Sequence, residues 1–175
     1  MNWDWWSDRR LGFRNVVVGE GSLIAPDAWL DGANGSIKIG RRCLIHPGAM
    51  LLPYDGFIVL GDDCSVNPYA ILYGHGGLSI GNGVRIATHT VLIPANHIYA
   101  DPVTPIFRQD VTMEGIVIED DVWVGCNVTI LDGVRIGKGC VIAAGSVVTK
   151  SAEPYTVLAG CPARPIKKRG VERGA

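Results

Sequence analysis

The sequence predicts an all-β solenoid: a parallel β-helix with three flat sides and about six triangular coils. Three observations predict it. Large aliphatic residues recur every six positions, the residue after each is often glycine or alanine, and the 3.6-residue beat of a helix is absent although 23 of 175 residues are glycine.

The clearest run is Ile118, Val124, Ile130, Ile136, Ile142 and Val148, each followed four residues later by a smaller or β-branched residue (Val122, Val128, Val134, Cys140, Ser146, Ala152). Upstream the same register appears in threes: Val18, Ile24, Leu30; Ile39, Ile45, Leu51; Leu60, Val66, Leu72; Ile80, Ile86, Leu92. Glycines at 19, 40, 61, 81, 125 and 137 suit a sharp bend or a close approach to a neighbouring strand, so a corner is expected every six residues. Three sides of six residues close a triangle. Stacked coils then pair strand on strand, and six of them rise about 29 Å. The aliphatics form a dry interior ladder whose burial holds the fold.

Coil starts are separated by 21, 21, 20, 38 and 18 residues, so one turn carries an insertion, 93–117. Pro94, Pro102 and Pro105 bar a continuing ladder there, and the segment is expected to project as a loop. The expected organisation is an N-terminal cap at 1–17, the β-helix at 18–150, and a C-terminal cap with a basic tail at 151–175. Trp3, Trp5 and Trp6 are expected to cover the open end of the core; contact with a lipid interface is the other reading.

The formal net charge of −1 argues against nucleic acid as partner, while the basic stretch 164–169 suits a local anionic ligand. Five cysteines, an odd number without a Cys-x-x-Cys pair, argue against a disulfide framework or a zinc knot. The first ten residues carry acids and bases where a signal peptide needs an apolar core, and no apolar run reaches the roughly 20 residues of a membrane span. A cytoplasmic protein without a transmembrane segment is expected.

Gly115-Ile-Val-Ile-Glu-Asp-Asp-Val-Trp-Val-Gly, Gly145-Ser-Val-Val-Thr-Lys and Ala159-Gly-Cys-Pro-Ala-Arg-Pro-Ile-Lys resemble the bacterial hexapeptide-repeat acetyltransferases. The closest likeness is to the maltose and galactoside enzymes and the O-acetyltransferases of surface-polysaccharide assembly. The resemblance implies a left-handed coil, a homotrimer, and acetyl-CoA lying between neighbours as cosubstrate, with no metal. It implies a loop histidine as general base, matched by His97; an imidazole is a neutral base near cytosolic pH. In the galactoside enzymes a proline commonly follows this histidine, where this sequence has Ile98. Asn67 and Trp123 match active-site positions, Cys126 and Ala144 positions beside the pantetheine arm, and Thr149, Lys150, Arg164 and Lys167 positions around the CoA phosphates.

Each residue has a plainer reading. Asn67 can be a turn asparagine before Pro68, and Trp123 an outward aromatic at a subunit interface. Cys126 is an ordinary small residue rather than a nucleophile, and each cation taken singly is a solvated charge. His75 can line the acceptor site, although exposure to solvent is the first expectation for it, as for His46 and for His89, which is placed mid-side. Lys168 and Arg169 extend the basic patch. The function implied is acetyl transfer to a sugar hydroxyl, with a nucleotide-linked or lipid-linked sugar as acceptor. The rivals are a non-catalytic scaffold subunit and a gamma-class carbonic anhydrase-like metalloenzyme, whose histidine spacing is poorly matched.

Overall fold

The computed structural model describes residues 15–170. The expected Trp3–Trp5–Trp6 cover, most of the N-terminal cap and the end of the basic tail lie outside them.

The chain winds into a parallel, left-handed β-helix of six coils, each contributing one short strand to each of three sides. Side I stacks Val16–Val18, Ser36–Ile39, Phe57–Leu60, Leu78–Ile80, Ile116–Ile118 and Arg135–Ile136. Side II stacks Leu23–Ile24, Leu44–Ile45, Ser65–Val66, Arg85–Ile86, Trp123–Val124 and Val141–Ile142. Side III stacks Trp29–Leu30, Met50–Leu52, Ile71–Tyr73, Val91–Ile93, Thr129–Leu131 and Val147–Val148. Register aligns the hexads directly: Ile39 on Leu60, Ile86 on Val124, Leu92 on Ile130.

Every hexad aliphatic from Leu30 to Val148 is buried. Val18, 41% exposed, and Ile24 are not. They belong to the first coil, where no described coil lies beneath to exclude water. The glycine after the aliphatic answers a close approach: a Cβ on Gly19 would sit 2.5 Å from the Gly40 carbonyl carbon, and one on Gly125 2.7 Å from the Ala144 nitrogen.

The corners hold a further regularity. Three residues after the hexad aliphatic the chain repeatedly turns into the left-handed region, at Gly21, Arg42, Asp63, Gly83, Asp121 and Gly139 on the edge joining sides I and II. Gly48, Tyr69, His89, Asn127 and Gly145 do the same on the edge joining sides II and III. His89 is therefore a corner residue and not a mid-side one, stacked on Tyr69 at 5.5 Å between ring centroids.

The I–II edge is laced by charge. Arg41 and Arg42 pair with Asp62 and Asp63 one coil on, at 2.7 and 2.6 Å, and the Asn82 N–H donates to Asp120 at 2.7 Å. Exposed pairs of this kind contribute little singly, but they match coil to coil and fix register.

After Val148 the hexad ends, yet the coil does not stop at once. Ala152 bridges Ile136, Thr156–Gly160 adds a seventh rung to side II, and Ala163–Lys168 returns antiparallel as its outer strand. Lys168 and Arg169, expected to extend a basic patch, instead fasten this return. The Lys168 ammonium donates to the Pro154 carbonyl and Thr156 hydroxyl at 3.0 Å, and Arg169 pairs with Asp121 at 2.8 Å.

The insertion leaves side III at Pro94 and rejoins side I at Ile116. It is a short antiparallel hairpin, Asn96–His97 against Val111–Thr112, closed by a loop with one 3-10 turn at Ile106–Arg108. Among the described residues no helix is long and apolar enough to cross a membrane.

Candidate active site

The hairpin is held at both ends. Gly76 donates its N–H to the Pro94 carbonyl at 3.2 Å, and Asp132 accepts from the Thr112 hydroxyl and from the N–H groups of Glu114 and Gly115, each at 2.9 Å. Its tip is knotted on Asp101, which accepts from the Val103 N–H and the Thr104 hydroxyl, while Gln109 donates to the carbonyls of Asp101 and Thr104. The Thr104 hydroxyl, then the Val103 N–H, holds the Asp101 carboxyl below its ordinary range. A long insertion thus becomes an ordered arm.

His97 lies on this arm, exposed, paired through its backbone strand with Val111. One coil beneath, on the same III–I edge, lies His75. It is half-buried rather than solvent-facing, stacked on Tyr54 at 4.6 Å and tilted against Tyr73 at 5.8 Å. Burial lowers its pKa, and its Nδ1 is buried without a hydrogen-bond partner. Gly74 and Gly76 let the chain pass close to neighbouring backbone here: a Cβ on Gly74 would sit 2.8 Å from the Phe57 carbonyl oxygen and one on Gly76 2.6 Å from the Met113 carbonyl carbon. Thr149 and Lys150 are exposed where side III ends in the sixth coil, on this same edge.

The other predicted residues gather elsewhere. Asn67, Cys126 and Ala144 lie on the II–III edge in the third, fifth and sixth coils; the Gly145 N–H donates to the Cys126 carbonyl at 2.8 Å. Ala144 is exposed and Cys126 half-buried. The Asn67 amide is occupied in the scaffold, donating to the Ile86 carbonyl at 2.8 Å, and its Oδ1 accepts no bond from a described residue. Trp123, 56% exposed, stands outward on side II beside Arg85 and Val141. Arg164 and Lys167 are exposed on the outer strand of side II, opposite Ala159 and Val157.

Apart from Trp123, Arg164 and Lys167 on side II, the candidates therefore form two lines, separated by the width of side III, on the order of 15–20 Å for five or six extended residues. Within one chain His97 faces one edge and Cys126 the other. Side III between them is largely apolar on its outer surface, presenting Met50, Ile71, Val91 and Val147 with Thr129 among them, all half-buried. Tyr54 and Tyr73 belong to the first line and carry no signal in the hexad pattern. Among the described residues no three of His, Cys, Asp or Glu converge as metal ligands would.

The model of the bacterial transferase hexapeptide, six repeats, matches residues 115–150. A Lysinibacillus sphaericus protein named "Probable macrolide acetyltransferase" is 52% identical over 69 residues, 39% of this chain and 38% of its own length. The chain spans less than half the length of the first curated relatives it matches. Among solved structures, a variant of AntD, an N-acyltransferase from Bacillus cereus in complex with dTDP-4-amino-4,6-dideoxyglucose and coenzyme A, aligns with a TM-score of 0.77. It is 25% identical, covering 93% of this chain and 87% of that one. A hexapeptide-repeat acetyltransferase of Vibrio cholerae complexed with acetyl-CoA aligns at 0.59 and 27% identity, over 96% of this chain and 79% of its own.

Proposed function

The chain belongs to the hexapeptide-repeat transferases, and on that premise we propose that it is an acetyl-CoA-dependent O-acetyltransferase acting on a sugar hydroxyl in polysaccharide assembly. The observation that carries the reading is the arm. A 22-residue break in an otherwise regular ladder, fixed at root and tip, presents His97 to solvent at one edge.

The two lines of candidates meet only if copies of the chain pack side by side, the III–I edge of one against the II–III edge of the next. Three copies close such a ring, and the largely apolar outer surface of side III gives them a surface to bury. The site then lies between subunits. Acetyl-CoA runs along the II–III edge of one chain past Cys126 and Ala144, with its phosphates between Arg164 and Lys167 of that chain and Thr149 and Lys150 on the III–I edge of the next.

In this arrangement an imidazole nitrogen of His97 accepts the acceptor hydroxyl's proton as the oxygen attacks the thioester carbonyl. Collapse of the tetrahedral species expels the CoA thiolate, which takes the proton back from the imidazolium. Attack is direct, in a ternary complex, so Cys126 needs no nucleophilic role; a base so placed contributes about 10²- to 10⁴-fold. N-acetylation of an amino sugar is a second reading, favoured by the amino-sugar nucleotide in the AntD complex.

The test is CoA release from acetyl-CoA with a panel of sugar hydroxyl and amino acceptors. Turnover with hydroxyl acceptors supports the first reading and turnover with amines alone the second. Tight acetyl-CoA binding without turnover on any acceptor favours a scaffold subunit.

A further inference from the structure

Side II carries a notch below Trp123. Its outward positions, coil by coil, are Leu23, Leu44, Ser65, Arg85, Trp123 and Val141, and Ser65 is the one small polar residue among them. Ser65 forms the floor, 8% exposed, with Arg42, His46, Asp63 and Arg85 around it.

The charges of the coil arginines are answered unequally. Arg41, Arg42 and Arg135 each pair with a carboxylate. Arg85 makes no ion pair among the described residues. Its Nη1 donates instead to the carbonyls of Asp63 and Val84, which fix the planar head, while the nearby Asp63 carboxylate offsets its charge only in part because Arg42 shares it. Asp63 itself is turned to Arg42, which it grips through both carboxylate oxygens. The Ser65 hydroxyl accepts a long 3.4 Å bond from the Asn67 amide and donates to no described residue. Two guanidiniums set against one carboxylate, a free hydroxyl donor and an imidazole thus line the depression, which keeps an excess of positive charge.

Resting on the transferase reading, we infer that this notch binds a phosphate or pyrophosphate carried by the acceptor. Guanidinium and hydroxyl donors at fixed geometry suit phosphate oxygens, and Arg85 supplies the charge. The notch lies one to two coils below Cys126, roughly 5–10 Å along the axis, a span that one sugar unit bridges between its anomeric phosphate and a distal hydroxyl. The substrate class is then a phosphate-linked sugar rather than a free one, with Arg85 and Ser65 setting specificity and His97 acting on the other end.

Calorimetric titration of inorganic pyrophosphate into protein held in excess CoA tests this, because CoA then occupies its own phosphate positions. The expected result is one site per chain, weakened about tenfold or more by Arg85→Gln and by Ser65→Asp, and unchanged by Lys38→Gln on the exposed face of side I. No binding to the wild type, or equal binding to Arg85→Gln, overturns the inference. Titrating uridine and thymidine diphosphates distinguishes the carriers. Tighter binding than pyrophosphate assigns a nucleotide-linked sugar, and equal binding assigns a lipid or other carrier; both support the subsite. CoA titrated into the same variants reports separately on the transferase reading, which fails if CoA does not bind while the anion site stands or falls on Arg85.

Discussion

His75 sits in a stack with Tyr54 and Tyr73 where its Nδ1 has no acceptor, so the folded protein favours the neutral ring. The linkage follows from that direction. Below the ordinary histidine pKa of about 6.5 the unfolded chain binds a proton that the folded chain resists, and stability falls as pH drops through that value. Thermal melts from pH 7.5 to 5.5 should show this slope in the wild type and a flatter one in His75→Gln. Parallel slopes would mean that the ring is solvated. Asp62, held down first by the Arg41 side chain, and Glu119, held down first by the Lys138 N–H, act in a lower window. Their contribution is present above the ordinary carboxylate range and lost as pH falls below about 4. The sequence offered no route to the His75 environment, because a histidine flanked by glycines reads as solvent-exposed until the turn at Tyr54, itself left-handed, is placed beneath it.

At the scale of the element, the arm depends on Asp132. Replacing it with alanine removes the acceptor for Thr112, Glu114 and Gly115 together, at a local cost of about 0.5–1.5 kcal/mol for each bond, since these bonds are exposed or part-buried and water reaches them. Amide exchange at 111–115 should accelerate in Asp132→Ala while exchange in the flanking coils at 78–93 and 116–131 stays slow. Uniform acceleration would show that the arm and the prism are one cooperative unit. The arm's existence was legible, since prolines and a 38-residue gap interrupt a 21-residue repeat. Its hairpin was not: two-residue strands fixed by an aspartate from the next coil leave no local pattern. The sides were legible residue by residue, because Leu, Ile or Val at each sixth position must face the one dry interior. The corners were legible from the glycine or alanine that often follows the aliphatic; the left-handed turn two residues further on, taken by Tyr69 and His89 as well as by glycines, was not. The seventh rung at Thr156–Gly160 escaped for a related reason, pairing through backbone in a segment whose hexad has lapsed.

The whole molecule is held by the ladder. Ile130 is fully buried between Leu92 and Val148, and Ile130→Asp places an unpaired charge in that column. Loss of the β-sheet circular dichroism signal is expected; a soluble folded variant would mean that the interior face is misassigned. Function at this scale turns on the distance between the two edges. His97 stands at one and Cys126 at the other, so the account requires that each active site take its base from one chain and its CoA channel from the next. Refolding equal amounts of His97→Ala and Cys126→Trp chains together tests this most directly, by CoA release in the presence of the best acceptor. Each variant alone should be nearly inactive, and the mixture should recover about one wild-type site in four by random pairing of edges. A mixture as inactive as its two parents would contradict the account, placing base and CoA channel in a single chain.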